Sequence, residues 1–355
     1  ASGETTGAQA NDAWRARLIG FRVDGARPNG DRFALHGEHH ATRSGETLFQ
    51  PSFAAPYSNR LDTQLNRYNA NLTGRYEWLR PDGNDASMRV SYDRSDLDLI
   101  GYLAERRDTL DIDAQQRIRL GMHDLIGGLA YRTTHDETVG TTYVSLIPAR
   151  RTLSLASAFL HDEIALVPDQ VRMILGARFE HHTYTGFAAQ PNARWHWQID
   201  ATQSAWAAAS RAVRTPSRAE NNADGFVSVI GPTSTVPLPT VIRARGEEQL
   251  NNERVDALEM GYRTQWSART STDITVFQNR YKGLQLFVPG TATLVAGASP
   301  YLLVVSESRN AVDAQTRGWE WVWEWKPYAW WRLGGAYSRL LIDIPHDPDP
   351  TADAF

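Results

Sequence analysis

The sequence predicts an antiparallel transmembrane β-barrel, and three observations carry the prediction. Long segments alternate between apolar and polar faces. In Val171–His182, Val171, Met173, Leu175, Ala177 and Phe179 oppose Arg172, Ile174, Gly176, Arg178, Glu180 and His182. In Leu110–Leu120, Leu110, Ile112, Ala114, Ile118 and Leu120 oppose Asp111, Asp113, Gln115, Arg117 and Arg119. Period two is the signature of a strand with one apolar face. Charge on the opposite face fits a wet lumen better than the dry interior of a β-sandwich. The second observation is that short turns alternate with long loops along the chain. The third is that no apolar run approaches the ~20 residues of a membrane-spanning helix, and no strand–helix–strand alternation appears.

Fourteen strand-like segments follow in order: Trp14–Asp24, Asp31–His40, Tyr68–Leu79, Ser87–Leu97, Thr109–Leu120, Leu125–Thr134, Leu153–Val167, Gln170–Tyr184, Gln190–Trp197, Ser204–Val213, Val255–Gln265, Thr270–Tyr281, Gly318–Lys326 and Trp330–Ile342. Each has period-two alternation or enrichment in β-branched and aromatic residues, and turn-forming residues bound most of them. A weaker hairpin is expected in Leu284–Val305, pairing Leu286–Val288 with Leu302–Val305. The short connections, such as Pro81–Asp85, Gly121–Asp124, Val167–Gln170 and Trp266–Arg269, carry turn residues and read as periplasmic turns. The long ones, Ala41–Arg67, Asp98–Asp108, Asp136–Arg151, Thr215–Arg254 and Lys282–Arg317, read as extracellular loops. Thr185–Ala189 breaks the rhythm by being short. In Gly318–Lys326, Trp319, Trp321, Trp323 and Trp325 share one face, which suits a lipid-facing strand near an interface. A carbohydrate-stacking platform is the alternative for these four indoles.

The chain has 355 residues, 41% hydrophobic, 22% charged and 10% aromatic, including 12 Trp. That aromatic content fits belts at two membrane interfaces. A net charge of −4 argues against nucleic acid as a partner. Without cysteine, disulfides and thiolate chemistry are excluded. There is no Gly-x-Ser-x-Gly, Walker or dinucleotide fingerprint, so neither a catalytic residue nor a cofactor is expected.

Several stretches, in order and spacing, resemble TonB-dependent outer-membrane receptors. Ser210-Arg211-Ala212-Val213-Arg214-Thr215-Pro216-Ser217-Arg218-Ala219-Glu220 is similar to a family segment in which a rising strand breaks at proline into a large extracellular loop. Proline has no N–H and cannot continue a central ladder, so the strand should leave the sheet at Pro216. Glu253–Arg263 resembles the returning strand, Thr270–Tyr281 the next ascending one, and Thr316-Arg317-Gly318-Trp319-Glu320 a strand start. Asp108–Leu120 with Gly128–Arg132, and Phe159–Glu163 with Gly176–Glu180, are also similar to the family.

The resemblance implies a partial barrel over residues 1–355, with about 14 of the roughly 22 strands of a family barrel. It also implies that Trp14–Asp24 to Trp330–Ile342 correspond to strands four to seventeen. The family's N-terminal plug and C-terminal strands are not recognisable here. The polar Ala1–Asn11 is expected to begin mid-protein, and Asp347–Ala354 to form an extracellular loop.

By the same resemblance, the expected function is active uptake across the bacterial outer membrane. The ligand would be a ferric siderophore or similar scarce solute. Energy would come from the TonB–ExbB–ExbD complex through an N-terminal part, and outer-membrane lipid would surround the wall. A plug-free porin and a secreted all-β carbohydrate-active protein are the alternatives. Candidate ligand contacts are Arg211, Arg214 and Arg218 around Pro216, Arg243 and Arg245 in the long loop, Tyr143, and His36 and His40 in the lumen. Arg offers bidentate donors to anions, but Arg211 and Arg214 could equally satisfy lumen carboxylates or lipid phosphates. His36, Glu38 and His40 share a face, placed near the outer mouth. Strand spacing of ~7 Å between them argues against a closed metal shell, so no metal is expected. Asp96, Asp98, Asp111 and Asp113 are expected to pair with Arg117, Arg119, Arg172 and Arg178.

Overall fold

The computed structural model describes residues 11–345, and the terminal Ala1–Ala10 and the expected loop Asp347–Ala354 lie outside them. Fourteen strands form one continuous antiparallel wall. They are β1 (Trp14–Ala26), β2 (Arg32–Pro51), β3 (Ser58–Trp78), β4 (Ala86–Leu99), β5 (Leu103–Leu120), β6 (His123–Val139), β8 (Arg150–Val167), β9 (Val171–His182), β10 (Gly186–Gln198), β11 (Gln203–Arg214), β14 (Glu253–Ser267), β15 (Thr270–Pro289), β17 (Tyr301–Tyr328) and β18 (Trp331–Asp343). Each pairs with the next in that order. The sheet is not closed: no pairing joins β1 to β18 among the described residues. Four short strands, β7 (Ser145–Leu146), β12 (Ala223–Ile230), β13 (Thr240–Arg245) and β16 (Thr293–Val295), and one helical turn, α1 (Arg218–Asn222), belong to the extracellular connections.

The registers carry one face across the whole wall. Phe21, Gly37, Leu72, Tyr92, Leu110 and their successors lead through Ile112, Leu129, Leu160, Leu175, Ala193, Ala209, Leu258 and Val276 to Trp319. That face is greasy and open. Leu129 is 67% exposed, Leu258 59% and Met260 61%, so it is the surface that lipid covers. Ile164, Val241 and Leu250 are the only large aliphatic or aromatic residues buried among the described residues, as expected for a single layer with no dry interior. The four indoles of β17 lie on the same outer face, and Trp321 Nε1 donates to Thr272 Oγ1 at 2.6 Å.

Opposite lies the charged lumen face. Its ion pairs run to direct or diagonal neighbours on adjacent strands, or along one strand, rather than between the partners expected from sequence. Asp111 takes Arg132 at 2.8 Å and Arg89 at 3.4 Å. Arg117 and Arg119 both turn to Asp124, Arg172 to Glu163, and Arg178 to Glu180. Asp96 sits on the outer face and takes Arg94 and Arg106.

Two further expectations change. Ala41–Arg67 and Asp98–Asp108 are largely strand: β2 and β3 stay paired out to Pro51 and Ser58, and β4 and β5 turn tightly between Leu99 and Leu103. Above the membrane both faces of a hairpin are wet, so the apolar alternation that marks a strand disappears. This places His36 and His40 in the lower part of β2, away from the outer mouth. The Leu284–Val305 hairpin exists in another register. Leu286–Val288 continue β15 and face Glu307–Arg309, whereas Leu302–Val305 run parallel to β13. Phe53, at the tip of β2–β3, meets Tyr301 at 5.2 Å, so the sheet curls far enough for distant loops to touch.

Glycines opposite aromatic rings fix local packing. Trp206 faces Gly261 and Phe159 faces Gly128 in register. A Cβ on Gly128 would lie 2.4 Å from the Phe159 ring and 2.9 Å from the Ala114 carbonyl oxygen. Gly128→Val is therefore expected to cost about 1–3 kcal/mol of barrel stability. Gly297→Ala, where a Cβ meets nothing within 4 Å, should stay within about 0.5 kcal/mol. Urea unfolding followed by heat-modifiable gel mobility measures both.

Candidate functional site

The site is the mouth, where the connection between β11 and β14 folds back over the lumen. β11 ends at Arg214, and the chain leaves the ladder at Thr215–Pro216 as expected. Ser217 then caps α1. Its side chain accepts from the Glu220 backbone N–H at 3.2 Å, and the Ser217 N–H donates to Glu220 Oε2 at 2.6 Å. This reciprocal box was readable as Ser217-x-x-Glu220, a signal the loop assignment passed over.

Two arginines latch the connection. Arg214 spans Glu220 at 2.9 Å and Glu253 at 2.6 Å, with Gln285 at 2.6 Å. Arg218 reaches across to Asp136 at 3.1 Å, and both side chains are almost fully buried. It also donates to the Pro148 carbonyl. A third tie joins Arg151 to Glu248 at 2.7 Å, while Arg151 stacks 4.7 Å over Tyr184, whose hydroxyl donates to Asn222 Oδ1. Arg218 Nη1 and Asn221 Oδ1 are buried with no hydrogen-bond partner among the described residues. The latch is thus strong but incompletely satisfied.

Beneath it is a recess of ≈ 910 Å³ whose walls include Arg89, Arg107, Asp111, Arg132 and His182. Arg218 and Asp136 also line it. The sequence did not single out Arg89, Arg107 and Arg132 as contacts. Their signal was parity: each falls on the lumen face of its strand.

The predicted contacts do not form one constellation. Arg211 shares the outer face with Ala209 and Leu258 and pairs with Asp256 at 2.6 Å. Arg214 and Arg218 face the mouth but are held in ion pairs. Arg243 is committed to Asp224 at 2.5 Å within the β12–β13 hairpin. Arg245 is exposed at the end of β13. Tyr143 stacks against Tyr102 with ring centroids 6.3 Å apart. His36 and His40 lie on the lumen face of β2, where His40 shares a 3.0 Å hydrogen bond with Thr42.

Comparison with known proteins follows this geometry. A family described as TonB dependent receptor-like, beta-barrel, matches residues 4–354. A search of curated proteins matches nothing. Among solved structures, the siderophore receptor PirA from Pseudomonas aeruginosa aligns with TM-score 0.62 at 14% identity, covering 93% of this chain and 63% of that one. A mutant of the ferric enterobactin receptor PfeA from the same organism, in complex with enterobactin, aligns with TM-score 0.68 at 16% identity, covering 96% and 54%. The alcaligin outer membrane receptor FauA from Bordetella pertussis aligns with TM-score 0.59 at 14%, covering 94% and 54%. At these identities the likeness is one of fold, and the chain spans about 54–63% of the length of these three structures.

Removing Arg218 strands Asp136 in the interior, a change that typically costs about 3–5 kcal/mol. Arg218→Met should free the 215–254 connection to protease, and Arg218→Met with Asp136→Leu should restore most of the protection. Acid should also loosen it. Burial pushes the Glu220 carboxyl up, but hydrogen bonds from Arg214 and Ser217 outweigh this and hold it below its ordinary value. Arg151 lowers Glu248 likewise. Both are depressed in the folded state, so their contribution is complete above the ordinary value of about 4.3 and fades as pH falls below it. Limited proteolysis across pH 7 to about 3 tests this.

Proposed function

The chain belongs to the TonB-dependent receptor-like β-barrel family, and from that premise we propose that it is the wall and mouth of an outer-membrane receptor that takes up a ferric siderophore or similar chelate. Family members reside in the bacterial outer membrane and are transport receptors rather than enzymes. The reading that energy arrives from the TonB–ExbB–ExbD complex rests on the family alone.

One observation carries the reading most directly: the latched connection lies over a lumen recess of ≈ 910 Å³. That volume suits a ligand of chelate size. Its arginines supply planar, bidentate donors to carboxylate, hydroxamate or catecholate oxygens. In this reading the exposed Arg245 and the stacked Tyr102–Tyr143 pair would be first contacts for an incoming ligand. A ligand drawing Arg89 or Arg132 away from Asp111, or Arg218 from Asp136, would exchange one charged partner for another. Capture and movement of the loop would then be coupled by competing ion pairs.

The test uses the full-length protein in a strain lacking other siderophore receptors, with radio-iron-loaded enterobactin and alcaligin as probes. Uptake of at least one should collapse when the proton gradient is discharged. The Arg89→Gln, Arg132→Gln double variant should lower it roughly tenfold, the scale of one lost charge-assisted contact. Unchanged uptake of a transported probe by this variant sinks the assignment of the recess.

A further inference from the structure

The recess under the latch is balanced in charge. Four arginines line it, Arg89, Arg107, Arg132 and Arg218. Four carboxylates do so too, Asp93, Glu105, Asp111 and Asp136. Each arginine is already answered within the protein. Arg132 and Arg89 share Asp111, Arg107 takes Glu105 beside it on β5, and Arg218 takes Asp136. Their spare N–H groups can still donate, because a guanidinium has more donors than one carboxylate takes up. Their charge, however, is spent. Two titratable groups on the wall remain uncommitted, and neither is a cation. One is Asp93, which is exposed on β4 and enters no salt bridge among the described residues. The other is His182.

A backbone hydrogen bond fixes the form of His182. The Tyr184 N–H donates to His182 Nδ1 at 3.1 Å. A ring nitrogen that accepts carries no proton, so the proton sits on Nε2 and the imidazole is neutral. A proton on Nδ1 would face the Tyr184 N–H, donor against donor, so this tautomer is held. Nε2 has no partner among the described residues, and the ring lines the recess. Register sets it beside the arginines. Asp111, Arg132, Leu155 and His182 stand opposite one another in turn across β5, β6, β8 and β9. Arg132 and His182 are thus two strand spacings apart, ~10 Å, with Leu155 between them. Leu103, Leu146 and Leu153 add further apolar wall. Tyr184, which holds His182, also donates its hydroxyl to Asn222 at 2.7 Å and lies under Arg151, so the donor is tied to the latch.

These features discriminate between classes of iron chelate. A ferric tris-catecholate is triply anionic. In a balanced recess it meets an unpaired carboxylate at Asp93 and no unpaired cation to offset its own desolvation. A ferric tris-hydroxamate has no net charge. Its oxygens can accept from spare guanidinium N–H groups and from His182 Nε2–H, and its aliphatic spacers suit the leucines. Amide N–H groups between the spacers can donate to Asp93.

We infer that the recess selects iron chelates of the hydroxamate class, which carry little or no net charge, over anionic catecholates, and that His182 and Asp93 set the preference. His182 is a neutral donor to a ligand oxygen. Asp93 accepts from ligand N–H groups and disfavours anions. The inference rests on the reading of the mouth as a siderophore site and narrows it.

The test is quenching of tryptophan fluorescence in the full-length protein, titrated in detergent with ferrioxamine E, ferric alcaligin or ferric enterobactin. The first two are hydroxamate chelates, neither of them anionic, and the third is a tris-catecholate. At least one hydroxamate should bind about tenfold more tightly than enterobactin. Asp93→Asn should narrow that gap several-fold by strengthening the catecholate, with hydroxamate binding changed by less than about twofold. His182→Asn keeps an acceptor for the Tyr184 N–H but places no donor at the Nε2 position, and should weaken the hydroxamate about fivefold. His182→Gln reaches that position with an amide N–H and should restore most of the loss. A purely structural role for His182 gives the reverse order. Protease protection of the 215–254 connection, read on each variant, reports whether the mouth is folded. Equal or tighter binding of enterobactin overturns the inference and leaves the siderophore reading standing. An undiminished preference in Asp93→Asn, or tighter binding by His182→Asn than by His182→Gln, overturns the roles given to these residues. Binding of none of the three chelates overturns the reading of the mouth, and the inference with it.

Discussion

A backbone crossing hydrocarbon has no water to bond, so every N–H and C=O must find its partner inside the sheet. The rest of the structure depends on this. It forces a continuous antiparallel ladder from β1 to β18, and the ladder forces side chains to alternate. One parity must then satisfy lipid along the length of each crossing. The other is left to the lumen, where arginine and carboxylate can pair at the cost of little desolvation because water is near. The outer edges of β1 and β18 obey the same rule: in a bilayer each needs a further strand beside it.

Where the constraint ends, the chain changes character. Above the hydrocarbon, hairpins remain paired but lose apolar alternation, and charge is no longer confined to one face. The connection after β11 shows what replaces the ladder. Proline ends the strand, a serine caps one turn of helix, and two arginines tie the segment to elements far away in sequence. The ties are electrostatic rather than apolar, since Val241 and Leu250 are the only large apolar residues buried there among the described ones. A cap held this way is ordered at rest, yet another polyanion can compete for its partners. A greasy plug of equal stability would lack that property.

The fourteen wall strands were legible because lipid writes a strict period into sequence. Segments such as Leu110–Leu120 and Val171–His182 needed nothing beyond parity. The Pro216 break was legible for the same local reason. β12, β13 and the upper parts of β2 and β3 were not, since two wet faces leave no period to read. The ion-pair partners were misassigned because they depend on stagger between strands. Asp111 could be placed on the lumen face from sequence, but only the register shows that Arg89 and Arg132, rather than Arg117, reach it. Among the candidate contacts, Arg211 is the instructive case. Three residues from Arg214 in sequence, it falls on the opposite face and meets lipid instead of the lumen.

The central claim is that one parity faces lipid and the other water, and β5 tests it most directly. The chain has no cysteine, so single cysteines at successive positions from Thr109 to Arg119 can each carry a spin label in liposomes. Label accessibility to oxygen, which partitions into lipid, and to a water-soluble nickel chelate would then be compared. The account predicts strict alternation, with oxygen favoured at Leu110, Ile112, Ala114 and Ile118, and nickel at Asp111, Asp113, Gln115 and Arg117. Nickel access at both parities, or alternation in the reverse phase, would contradict it.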